Sequence, residues 1–190
     1  MYKPAFLCKL LFLSAALGLG GPGFAQDIDQ ELRQRLSIAM ADEGGFEDRF
    51  EAEVWLADMS ARLRRRIPDK QERLDLLRMV HAEARRADLS PELVLAVIQV
   101  ESNFDRFAIS VVGARGLMQI MPFWLVELGR PDDNLFDVHT NLRFGTTILR
   151  YYLDKENGHE SRALARYNGS LGSNRYPTLV YNALRERWYP

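Results

Sequence analysis

The sequence contains a single cysteine, Cys8, so no intramolecular disulfide can form and the fold must rest on its core. Nor is there an excess of positive charge. Its 25 Lys and Arg stand against 26 Asp and Glu, giving a formal net charge of −1 and a pI near 6.3. That balance argues against an electrostatic binder of nucleic acid, whose footprint is strongly basic. The three histidines, His81, His139 and His159, are dispersed and show no metal-ligand spacing, so neither a metal nor another cofactor is expected. The glycines between Gly18 and Gly23 mimic part of a dinucleotide motif, but no strand precedes them. Internal repeats, low-complexity tracts and convincing hairpin signals are missing. The apolar run Leu10 to Leu19 is too short to span a bilayer.

What is present begins with a targeting signature. Lys3 and Lys9 flank the apolar run, and Gly23-Phe24-Ala25 puts small residues at the two positions that define a cleavage site. A secretory signal peptide over residues 1–25, cut after Ala25, is expected. Cleavage there removes two lysines, no acid and the only cysteine, leaving a net negative chain without a thiol. Cys8 lies inside the run with Lys9 after it, which does not suit a lipid-anchored cysteine.

Residues 26 to about 45 are polar, with a break at Gly44-Gly45. From Phe46 to Ile67, Phe46, Phe50, Val54, Trp55, Met59 and Leu63 recur at helical spacing. Arg62, Arg64, Arg65 and Arg66 end this stretch. They suit the negative end of a helix dipole and read most simply as a solvated helix end. Pro68 breaks the chain. Asp69 to Ala87 reads as a second helix, with Leu74, Leu77, Val80 and His81 on one side. Ser90-Pro91-Glu92 is a helix start: a hydroxyl cap, a proline in the first turn, then an acid at the positive end. The apolar run Leu93 to Val100 could be a buried strand, but its capped start favours a buried helix. Beyond a loop punctuated by Gly113 and Gly116, helices are expected at about 117–128, 139–155, 161–167 and 177–188. The expected fold is all-α and compact. A helical extension at 26–85 would precede a domain at 86–190.

Glu101 ends the most apolar helix of the chain. Burial and the negative helix end both disfavour a charged carboxylate there, so its pKa should rise. A carboxyl still protonated near neutral pH can donate a proton to a leaving oxygen. The plainer reading is a helix-end glutamate paired with Arg106 or Arg115. Around it, in order, stand Glu101-Ser102-Asn103-Phe104, the run Gly113 to Pro122 (GARGLMQIMP), Asn141 to Gly145 (NLRFG) and Ala163 to Gly169 (ALARYNG). This set resembles the lytic transglycosylase domain of the soluble murein transglycosylase type, related in fold to goose-type lysozyme. The resemblance covers roughly residues 86 to 188, and residues 26 to about 85 lie outside it.

The resemblance implies a compact lysozyme-like helical domain acting on peptidoglycan glycan strands in the periplasm. It casts Glu101 as the sole catalytic acid/base and Ser102 as the residue that helps orient it. Gln119 and Met121 would line the cleft against the sugars. Tyr167 and Asn168 would close the floor of the site near the N-acetyl group. Asn141 is a weaker carry-over and reads better as a structural hydrogen-bonding residue. Met118 reads best as core, and Tyr167 could equally be a core aromatic with a satisfied hydroxyl. Gly113 and Gly116 would let the backbone lie close to the glycan. The loop Gly169-Ser-Leu-Gly172 departs from the family pattern, so its contacts are not carried over.

Most glycosidases use two carboxyl groups, whereas Glu101 is the one convincing candidate. Asp105 lies one turn on in sequence but past the expected helix end, and Asp132, Asp133 and Asp137 sit in a turn-like segment where turn capping explains them more simply. One carboxyl suffices if the substrate supplies its own nucleophile. The expected reaction is therefore cleavage of the N-acetylmuramic acid–N-acetylglucosamine β-1,4 bond with formation of a 1,6-anhydromuramoyl end. A water-using hydrolase and an idle peptidoglycan-binding module are the alternatives. The 26–85 extension leaves room for a cell-envelope protein partner.

Overall fold

A computed structural model describes residues 30–41, 49–128 and 130–189. The signal segment with Cys8, the Gly44-Gly45 break, Phe46 and Gly129 lie outside these residues. The described chain is helical: α1 (Gln30–Ala41), α2 (Arg49–Leu63), α3 (Lys70–Arg86), α4 (Pro91–Glu101), α5 (Phe123–Glu127), α6 (Val138–Lys155), α7 (Glu160–Tyr167) and α8 (Arg175–Ala183), closed by a π-helical turn at Leu184–Trp188. The all-α expectation holds.

The helix starts follow from local chemistry. The Asp69 carboxylate accepts from the Glu72 amide at 2.7 Å to open α3, and Asp137 accepts from Thr140 at 2.8 Å to open α6. Ser90 Oγ caps Leu93 at 3.3 Å with Pro91 in the first turn, which settles the Leu93–Val100 run as helix. Residues 93–98 are all buried, and so are residues 141–149 of α6. A helix buried on every side is a central helix. α1, α3 and α7 pack on α6, while α8 and the π turn pack on α4. One core runs through all of them, from Leu36 and Leu63 to Ile98, Phe144 and Trp188.

Charge is buried where these helices meet. Glu83 and Arg143, both almost wholly enclosed, pair at 2.6 Å. Arg86 joins Glu83 at 2.8 Å, and Arg143 also donates to the Ala39 carbonyl at the end of α1. A buried pair survives because its remaining donors are satisfied. On α7, Arg162 and Arg166 both bond the buried Glu156.

Three segments depart from the sequence expectation. Residues 26–45 read as featureless polar chain, yet 30–41 form α1. Leu32, Leu36 and Ala39 make a stripe one residue wide, so the composition stays polar. The helix expected over 117–128 is only the short α5. Before it, Arg115 bridges antiparallel to both Ile109 and Ile120, although no named strand forms. Gly116 at φ +76° and Gln119 at φ +52° are incompatible with a helix there. The last helix begins at Arg175 rather than Pro177 and widens into a π turn after Ala183. In α2, Met59 and Leu63 are buried as expected, but Val54 is 75 % exposed.

Candidate functional site

Glu101 is the last residue of α4, and Ser102 caps the helix. The Ser102 hydroxyl donates to the Leu117 carbonyl at 2.8 Å, with the Ile98 carbonyl a second acceptor at 3.2 Å. That bond ties the end of α4 to the bridged segment 115–120. From the far side, Tyr167 at the end of α7 donates to the Met118 carbonyl at 2.8 Å. Asn141 on α6 accepts from the Met118 amide at 2.8 Å and donates to the Arg115 and Leu135 carbonyls at 2.9 and 2.8 Å. The segment is thus fastened to three helices through its main chain. Met118 itself is fully buried against Gly145, where a Cβ would stand 2.3 Å from its sulfur.

The Glu101 carboxyl is held by a residue that sequence reasoning missed. Tyr176, buried in the first turn of α8, donates to Glu101 Oε1 at 2.6 Å. The expected alternative, an ion pair with Arg106 or Arg115, is not what forms. Arg106 donates to the Phe136 carbonyl and lies over the Phe107 ring, and Arg115 lies over Phe136. Nothing in the spacing marks Tyr176, which sits 75 residues on and beside a proline. Only the packing of α8 on α4 makes it a neighbour.

Burial pushes the Glu101 carboxyl from an ordinary 4.5 up to about 7, against the opposing pull of the Tyr176 hydroxyl. The phenols of Tyr176 and Tyr167 are pushed well above their ordinary range, first by burial and then by the nearby Glu101 charge. They therefore stay protonated and act as donors. The other acids are occupied elsewhere. Asp105 accepts from the Phe107 amide at 2.9 Å, Asp133 pairs with Arg130, and Asp137 caps α6. Asp132 is exposed.

Of the remaining candidates, Gln119 holds a left-handed backbone and its amide nitrogen donates to the Gly116 and Ala108 carbonyls at 3.0 and 3.2 Å. Met121 is half-buried against the core, and Asn168 caps α7 beside Tyr167. Among the described residues, no side-chain hydrogen bond joins Met121 or Asn168 to Glu101. Gly116 is explained from within: a Cβ there would meet Asn141 Nδ2 at 2.4 Å and the Leu135 carbonyl at 2.5 Å.

Tyr176→Phe deletes the one donor that favours the Glu101 carboxylate while leaving the site buried. The Glu101 pKa then rises further. The alkaline limb of a pH–rate profile should move up by about one pH unit, since hydrogen bonds to charged groups contribute about 1.5–3 kcal/mol. An unmoved or lowered limb would show that the bond does not tune this carboxyl.

Residues 78–185 match the family model for the transglycosylase SLT domain. A transglycosylase of Enterobacteria phage PRD1 is 38% identical over 90 residues, which is 47% of this chain and 33% of that protein. The membrane-bound lytic murein transglycosylase C of Shigella sonnei is 34% identical over 113 residues, 51% of this chain and 32% of that protein. The protein of that name in Mannheimia succiniciproducens is 34% identical over 82 residues, 38% and 23% of the two chains. The chain thus spans a third or less of the length of these relatives. Its family match covers more than half of its own residues, and the chain belongs to the transglycosylase SLT domain family.

Proposed function

We propose that the protein is an exported peptidoglycan lytic transglycosylase in which Glu101 serves in turn as acid and base. The observation that carries this reading is the Glu101 carboxyl, desolvated at the end of an apolar helix and held at 2.6 Å by the Tyr176 hydroxyl with a pKa of about 7, while Asp105, Asp133 and Asp137 are engaged elsewhere. A retaining or inverting hydrolase needs a second carboxyl group. In this reading protonated Glu101 donates to the oxygen linking N-acetylmuramic acid to N-acetylglucosamine, and the C1–O bond breaks. The substrate's own N-acetyl group stabilises the cationic C1. The muramic C6 hydroxyl then attacks C1 and returns its proton to Glu101. The attack is intramolecular, so proximity lowers its barrier, and no water is consumed.

Ser102 holds the end of α4 against the 115–120 segment. Gln119, Met121, Tyr167 and Asn168 would contact the sugars, with the Gln119 side-chain oxygen available to accept from a hydroxyl or amide. Export rests on the leader at residues 1–25. Among the described residues no helix is long and apolar enough to cross a membrane.

Digestion of purified sacculi followed by mass spectrometry tests the reading. Fragments ending in 1,6-anhydromuramic acid are expected. Fragments heavier by one water would assign the site to a hydrolase, and binding without release would leave a peptidoglycan-binding module.

A further inference from the structure

The turn that follows Glu101 is unusual in its backbone. Asn103 and Phe104 both adopt left-handed conformations, at φ +50° and +69°. Asparagine tolerates this region, but a bulky aromatic residue rarely enters it. Such strain persists only where the surroundings over-determine it, and it gathers at functional sites. Here the surroundings come from segments on both sides of the turn in sequence. Arg66, in the turn after α2, donates from Nε to Asn103 Oδ1 at 2.7 Å, and its guanidinium lies 5.9 Å from the Phe104 ring centre. The Phe104 ring also packs, at 5.5 Å and tilted, against the fully buried Trp188 of the π turn. That turn is in turn tied to α2, since Arg62 donates to the Arg187 and Tyr189 carbonyls at 2.8 and 3.0 Å.

We propose that Arg66 is a positioning residue for Glu101, holding the Asn103–Phe104 turn in the conformation that fixes where α4 ends and where its last carboxyl points. Arg62 and Arg66 precede the span that matches the family, and Trp188 follows it. The fastening is therefore built from parts of this chain outside that span. Ion pairing does not explain why Arg66 is there. Among the described residues no carboxylate pairs with it. It is partly withdrawn from water, and Arg187 is a like-charged neighbour. The one polar side chain it does meet belongs to the strained turn. The arginine run at 62–66, read from the sequence as a solvated helix end, is so only at Arg64 and Arg65, which are exposed.

The test uses the full chain carrying Asn103→Gly, Arg66→Met or Arg66→Lys. Glycine keeps the left-handed backbone accessible and leaves every charge in place, so Asn103→Gly removes only the link. The titratable groups that face Glu101 are the phenols of Tyr176 and Tyr167, and no variant touches them. For glycan release, which rests on the proposed function, kcat should fall by about tenfold in Asn103→Gly and Arg66→Met, with KM within about twofold. Arg66→Lys should recover most of the loss. Independently of any reaction, 13C NMR of the Glu101 carboxyl should show its titration about half a pH unit or more lower in Asn103→Gly, as water reaches a loosened site. Wild-type kcat and an unmoved titration in Asn103→Gly would overturn the proposal. So would a loss of activity that only tracks the folded fraction measured by circular dichroism. If the wild type releases no glycan fragment, the reaction assignment fails on its own, and the titration still decides the role of Arg66. If Arg66→Met does not fold, Asn103→Gly decides alone.

Discussion

Glu101→Gln should lower glycan release by about 10³-fold or more while making the protein harder to unfold at alkaline pH. Gln matches the shape of the side chain and still accepts from the Tyr176 hydroxyl, so binding should change little. What disappears is the transferable proton. The stability effect has a definite sign. The folded carboxyl holds its proton more tightly than the unfolded one, at about 7 against 4.5. Its stabilising contribution is therefore complete below about pH 4.5 and is lost as pH rises through about 7. Above that, the wild type confines a carboxylate that the variant lacks, a difference of roughly 3 kcal/mol at 1.36 kcal/mol per pKa unit. Urea unfolding at pH 5 and pH 8 should show the gap between variant and wild type widening with pH. Full activity in the variant would end the acid/base assignment. A gap that is flat with pH would mean that the carboxyl is not held in a dry place.

The largest stability loss is expected at Asn141. Its side chain, 1 % exposed, satisfies the Met118 amide, the Arg115 carbonyl and the Leu135 carbonyl in the loop before α6. Asn141→Leu keeps the branched shape and orphans the Met118 amide and the Leu135 carbonyl, while the Arg115 carbonyl retains its bond from the Ile120 amide. Each unpaired buried polar group costs about 1–3 kcal/mol, so allowing for relaxation the total should be about 4 kcal/mol. Equilibrium urea unfolding reads this directly, and a loss under about 1 kcal/mol would mean that water or a rearranged backbone replaces the amide. Activity should fall with stability, because the same bonds hold the carbonyls that Ser102 and Tyr167 grip.

Both residues were legible in the sequence, for different reasons. Glu101 stood out because a capped, wholly apolar helix ended on an acid, and the physics of such a position needs no partner to be known. Asn141 was readable only through resemblance, and its role in the fold is that of a hydrogen-bonding hub. The misses share a cause: each depends on contacts far apart in sequence. Helix α1 was invisible because the buried stripe of Leu32, Leu36 and Ala39 is narrow enough to leave a polar composition. The first turns of the helix expected at about 117–128 look helical because their apolar residues run together, and the left-handed Gln119 overrules that pattern. Tyr176 has no local signature at all. Its hydroxyl matters only once α8 lies along α4.

The grip of Arg143 on the last turn of α1 has a practical corollary. The family match begins at residue 78, but the guanidinium at 143 would lose an acceptor if the polypeptide were trimmed to that point, and the apolar flank of α6 would be bared to water. The family match and the contacts that complete the core therefore begin at different places in this molecule. A piece that keeps this contact and the α1 cover on α6 begins no later than Gln30.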